Sequence, residues 1–70
     1  MGEVLSEMVA NVWKVLVSPG DQVTEGDALV ILESMKMEIP IEAPEPGTIS
    51  EVRVVEGGVV QEGDVIAVIT

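Results

Sequence analysis

The chain has 70 residues, no cysteine, and a formal charge of −10 from 13 acids against 3 bases. At this length a single hydrophobic core only just supports a fold, and no disulfide can assist it. The acidity repels phosphate backbones and anionic lipid, so neither nucleic acid nor a membrane is an expected partner, and with no basic leader before a long apolar run a cytoplasmic location is the default.

Hydrophobic residues make up 47% of the chain, yet there is one tryptophan and no phenylalanine or tyrosine. The core must therefore be aliphatic, and its wealth of valine and isoleucine favours strands over helices. The chain opens with Met1-Gly2-Glu3-Val4-Leu5-Ser6, which fits the loose myristoylation pattern. Glu3 and the lack of a basic patch speak against that reading, and the match is taken as chance.

From Ala10 onward the chain repeats itself. Shifted by 37 residues, Val23-Thr24-Glu25-Gly26-Asp27 falls on Val60-Gln61-Glu62-Gly63-Asp64, and Gly20 falls on Gly57. The copies span 10–33 and 47–70, within one domain covering 1–70. Each reads as strand, glycine turn, short strand, Gly-Asp turn, strand, and two such units imply an all-β sandwich or barrel with pseudo-twofold symmetry. Positions apolar in both copies are expected inside: Val12/Ile49, Val15/Val52, Val17/Val54, Val23/Val60, Leu29/Ile66 and Ile31/Val68. Positions 12 and 15 have opposite parity along a strand, which calls for a β-bulge in each copy. Trp13, Lys14 and Leu16 match Ser50, Glu51 and Arg53 and so face outward, with Trp13 either lying over the sheet or touching a partner. Glu25, Asp27, Glu62 and Asp64 are expected to be solvated turn residues.

Between the copies, Ile39, Ile41 and Ala43 alternate with Glu38, Pro40 and Glu42, the pattern of a strand with one buried face. Pro40 has no N–H to give and must lie at an edge or an unpaired site. Leu29 to Glu33 and Met37 to Ile41 then form a hairpin whose tip is Ser34 to Met37, with Lys36 exposed. The tip lacks the Asn-Gly or Asp-Gly of a favoured two-residue turn, so either a functional constraint or a longer loop is at work.

A self-activated catalytic lysine needs burial or a cationic neighbour, and Lys36 has Glu33 and Glu38 beside it instead. It reads as an acceptor on which another enzyme acts. With no histidine and no cysteine, imidazole bases, thiol nucleophiles and ordinary zinc sites are excluded. A Ser34–Lys36 nucleophile pair would lack both oxyanion hole and pocket. The acids form no EF-hand loop, and no metal is expected.

Met35-Lys36-Met37, within Glu33-Ser34-Met35-Lys36-Met37-Glu38-Ile39-Pro40-Ile41, resembles the attachment site of biotinyl domains. The resemblance to the biotinyl/lipoyl attachment domain family covers about Leu5 to Thr70. It implies a flattened barrel-sandwich hybrid of two four-stranded antiparallel sheets, with biotin joined to Lys36 by a biotin protein ligase. Met35 and Met37 would serve ligase recognition and the turn, and Glu33, Ser34 and Glu38 would flank that recognition site. The domain would be a monomeric, non-catalytic carrier, shuttling carboxybiotin between a biotin carboxylase and a carboxyltransferase.

Three departures from the family pattern stand out. Ser34 replaces a common alanine, Glu7-Met8-Val9-Ala10 replaces Pro-Met-Pro-Gly, and Val23 to Asp27 leave no room for the thumb of bacterial acetyl-CoA carboxylase carriers. Short and thumbless, the chain is most similar to single-domain biotin/lipoyl attachment proteins. A lipoyl carrier for acyl or aminomethyl transfer is the alternative, though lipoyl domains usually carry Asp-Lys-Ala at this turn. An unmodified adaptor barrel is the other.

Overall fold

A computed structural model describes residues 2–70, so Met1 and its part in the acylation pattern lie outside the described residues. Eight strands follow one another: β1 (Gly2–Leu5), β2 (Ala10–Val15), β3 (Gln22–Val23), β4 (Ala28–Ser34), β5 (Met37–Glu42), β6 (Gly47–Val52), β7 (Val59–Val60) and β8 (Val65–Ile69). They form two four-stranded sheets, β1-β8-β6-β3 and β5-β4-β2-β7, with every pairing antiparallel. This is the barrel-sandwich that the family resemblance implies, and it fits the all-β sandwich or barrel expected from the repeat.

The repeat governs the topology. Sheet for sheet, β5, β4, β2 and β7 are matched by β1, β8, β6 and β3. Each half therefore sends its short middle strand across to the other half's sheet, β3 to β6 and β7 to β2. The crossings are tied by equivalent hydrogen bonds: Gly20 N donates to Ile49 O at 2.7 Å, and Gly57 N donates to Val12 O at 2.8 Å. Both glycines sit at positive φ, 96° and 87°, where a side chain would be strained.

The second turn of each half is closed by its aspartate. Asp27 Oδ2 accepts from Thr24 N at 2.9 Å, and Asp64 Oδ2 accepts from Gln61 N at 2.8 Å. Both acids are exposed turn residues, as expected, and they also brace their turns, because a short carboxylate three residues on reaches back to an amide that a tight turn leaves open.

Equivalence also extends further upstream than 10–33 and 47–70. β1 matches β5, and the buried Ser6 matches the buried Ala43. Ser6 O accepts from Gly63 N as Ala43 O accepts from Gly26 N. Ser6 Oγ donates to Met8 O at 2.7 Å, which shapes the turn that departs from the family pattern.

The core is aliphatic and continuous, with Val12, Val23, Leu29, Val30, Leu32, Ile49, Val60, Ile66 and Ile69 among its buried members. Val15, Val17, Val52 and Val54 pack against it only partly buried. Ile31 and Val68, expected inside, are half-buried; their neighbours Val30, Leu32, Ala67 and Ile69 take the interior instead. The cause is an irregularity that the duplication preserves. Register shifts between Ala28 and Val30 against β5, and between Val65 and Ala67 against β1, make Leu29 and Ile66 extra residues and turn two successive side chains inward. The bulges expected from the parity of positions 12 and 15 are present too, between Val12 and Lys14 and between Ile49 and Glu51.

The body measures 31 × 17 × 17 Å. β4 ends at Ser34 and turns into β5; its counterpart β8 ends at Ile69, which pairs with Gly2 of β1. The β4–β5 turn thus occupies at one end of the molecule the place where, at the other end, Gly2 and Ile69 are paired.

Leu32→Ala, which hollows a fully buried part of β4, should cost about 2–5 kcal/mol of unfolding free energy. Gly47→Ala should cost roughly 1–3 kcal/mol by overpacking, because its new Cβ would overlap the Ile69 Cγ2 methyl and lie 2.9 Å from Thr70 O. Urea denaturation of both variants checks the two values.

Candidate functional site

β4 and β5 pair from Ala28↔Glu42 to Ser34↔Met37, leaving only Met35 and Lys36 to reverse the chain. Both adopt left-handed backbone, with φ of 53° and 64°. Two successive positive-φ residues are what a two-residue I′ hairpin demands, and asparagine and glycine are its usual occupants. Here the turn is that tight form rather than a longer loop. Left-handed geometry costs an ordinary residue about 1–2 kcal/mol, which this hairpin accepts at both positions. Glycine at 36 would relieve the strain and delete the amine.

Lys36 is exposed, and Met35 beside it is 89% exposed. The methionines are therefore not core filling, since Met37 is exposed as well. Directly below the turn, Glu33 faces Glu38 across the strand pair, with Ser34 and Met37 above them. Like charges opposed in this way weaken a sheet slightly, and Lys36 is the one base of this hairpin. Of the other two bases, Lys14 Nζ lies 5.6 Å from the Trp13 ring centroid and Arg53 Nε donates to Glu51 Oε2 at 2.7 Å. The six residues singled out from the sequence, 33 to 38, thus form one exposed tip.

Two further residues join it that sequence reasoning missed. Val9 and Val59, 63% and 62% exposed, line a shallow hollow with Asn11, Glu33, Met35 and Lys36. β2 brings them there, pairing Asn11 with Glu33 on one side and with Val59 on the other. Their counterparts in the repeat are Pro46 and Gln22, so neither was apolar at both positions of a strand pair, and the repeat carried no signal for them. With Met35 they place exposed aliphatic surface in the same hollow as the lysine, and Met37, next in the chain, is exposed as well.

Trp13 lies on the outer side, as expected, on the bulge of β2. The bulge frees Val15 N, which donates to Glu56 Oε2 at 3.0 Å. Among the described residues no helix is long and apolar enough to cross a membrane, and no group of histidine, cysteine or carboxylate side chains is arranged to hold a metal.

The fold and site together define an all-β sandwich whose hairpin tip exposes one lysine on a strained two-residue turn. The family model described as "Biotin-requiring enzyme" matches residues 1–69, and the chain belongs to that biotin/lipoyl attachment family, whose carrier domains are non-catalytic. The chain is 56% identical over 68 residues to the biotinylated protein TB7.3 homolog of Mycobacterium leprae (strain TN), covering 97% of this chain and 96% of that one. It is 53% identical over 60 residues to the biotin/lipoyl attachment protein of Bacillus subtilis (strain 168), covering 86% and 82%. Among solved structures, the Kluyveromyces lactis urea carboxylase contains a region that matches 99% of this chain with a TM-score of 0.92 and 33% identity. That region is 6% of the carboxylase chain.

Met35→Gly should stabilise the protein by about 1 kcal/mol through relief of left-handed strain, a rise of roughly 4–8 °C in Tm for a domain this small. Thermal unfolding followed by circular dichroism measures it.

Proposed function

We propose that this protein is a biotin carrier in which Lys36 is the attachment residue. The observation that carries the reading is the tip itself: the lysine occupies a position whose backbone geometry favours glycine or asparagine, and the strain is tolerated where the amine is most accessible. A biotin protein ligase would supply an activated biotinyl group. Lys36 Nζ attacks its carbonyl, the activating group leaves, the nitrogen gives up a proton, and an amide bond remains. Exposed Met35 and Met37, with Glu33, Ser34 and Glu38, form the surface such a ligase would meet.

Acylation removes one positive charge, taking the balance from 3 − 13 = −10 to 2 − 13 = −11. Glu33 and Glu38 then lose the one base of their hairpin, and the modified tip presents acids and aliphatic carbon together. A biotin carboxylase and a carboxyltransferase are the partners this reading supplies, in keeping with the carboxylase that contains the matching structure. The chain performs neither reaction. It contributes a rigid base and a long flexible arm, which keeps the carried group at high effective concentration near both sites.

Lipoylation of the same lysine, for acyl or aminomethyl transfer, is a second reading that the name of the Bacillus relative supports. The Met-Lys-Met context favours biotin.

Coexpressed with an active biotin protein ligase, the protein should gain one biotinyl increment in intact mass, located by peptide mapping to Lys36, and Lys36→Arg should gain none. A lipoyl increment from the native host would move the protein to the second reading. An unmodified mass beside an active ligase would overturn the carrier function and leave an adaptor barrel.

A further inference from the structure

Away from the tip, the open side of the sandwich forms a groove of about 870 Å³ between the two edge strands β1 and β5. Its floor is apolar, made of the buried Val4 and the half-buried Met8, Ile39 and Ile41, with the exposed Leu5 nearer the rim. Its rim carries Glu3, Glu7, Glu42 and Glu62, and among the described residues no lysine or arginine lines it. None of residues 33 to 37 takes part, so this surface is separate from the hairpin end.

The two walls differ in what their backbones offer. β5 carries Pro40, which has no N–H and cannot sustain a ladder on its free side. β1 contains no proline and is paired on one side only. The extra residue at its register shift is Ile66 of β8, so β1 itself remains an even strand with an open edge.

We infer that this groove is a docking site for an extended basic and apolar segment of a partner protein, which would add as a strand to β1 and lay its apolar side chains against β5. Alternation along a strand sends successive side chains to opposite faces. Apolar residues of such a segment meet the floor, and the intervening lysines or arginines meet the four glutamates. Charge settles the choice of occupant. A second copy of this chain brings another −10, and nucleic acid or anionic lipid would set negative charge against the same carboxylates. A domain held by this flank keeps its lysine end free to move between sites.

The test uses the unmodified ¹⁵N-labelled protein and a capped octapeptide of alternating valine and lysine, titrated at about 0.15 M salt, where long-range charge effects are screened. Amide shifts should concentrate on β1, β5 and the turn bearing Glu62. A peptide with serine for valine should bind at least ~10-fold more weakly if the apolar floor contributes. Glu62→Lys should weaken binding by a similar factor, whereas Glu25→Lys, the same charge change at the repeat-equivalent position outside the groove, should leave it within about twofold. Both positions are exposed turn residues, and the variants' own spectra verify their fold. Equal binding of the serine peptide, or equal loss in the two variants, would mean attraction by net charge only and overturn the proposal. Shifts absent from the groove, or groove resonances that respond to biotinylation of Lys36 and not to peptide, would overturn it too, the latter assigning the groove to the protein's own arm.

Discussion

Neither half of this molecule can complete a sheet without the other. The short strand after each first glycine turn leaves its own half and pairs with the opposite one, fixed by Gly20 N to Ile49 O and by Gly57 N to Val12 O. In a chain with no disulfide and a single aromatic residue, this reciprocal exchange substitutes for a larger core. Leu29, Leu32, Ile49, Ile66 and Ile69 then lie in one cluster to which both copies contribute, and loss of order in one half removes the partner strands of the other. Such interlocking makes cooperative unfolding the natural behaviour. It also explains how the β4–β5 hairpin tolerates two left-handed residues: β4 is held by β5 along one side, by β2 along the other and by the core beneath.

Much of this was legible because the chain states it twice. The match of Val23–Asp27 with Val60–Asp64 fixed the alignment, and from it came the succession of strands and turns within each copy, the outward Trp13 and the paired bulges. The hairpin could be read from the alternation of Ile39, Ile41 and Ala43, and Pro40 does lie on an edge strand. Where the signal failed, the reason is specific. β1 was missed because its mate β5 has diverged: Gly2 faces Ile39 in the alignment, Glu3 faces Pro40 and Leu5 faces Glu42, leaving only Val4 and Ile41 alike. Ile31 and Val68 were misplaced because residues 29 to 32 are all apolar, so the repeat could not tell inward from outward there, and only the pairing with the edge strands reveals the extra residue. Val9 and Val59 meet Lys36 through tertiary pairing across β2, which no local pattern encodes.

The two halves differ most where they have different tasks. Glu56 reaches across to hold Val15 N at the first bulge, while the equivalent position before the second bulge is Pro19. Met35 and Lys36 turn β4 directly into β5, whereas within residues 2–70 the equivalent strands β8 and β1 are paired without such a turn between them. Duplication supplied a symmetric body, and the strained lysine turn is where that symmetry is broken. The same holds for the flank, where the equivalents of Glu3, Glu42 and Glu7 are Pro40, Leu5 and Pro44, so that acid and apolar positions alternate between the walls.

The pairing of Gly2 with Ile69 has a consequence for how such a body can be strung. A polypeptide that arrives at Gly2 and departs after Thr70 does so through neighbouring points on one pole, so the whole domain hangs as a pendant from its backbone and can swivel without disturbing what lies before or after it. The lysine then rides on the β4–β5 turn at the other pole of a body whose long axis measures 31 Å. Its sweep is set by the length and stiffness of the cord above it rather than by any deformation of the body itself.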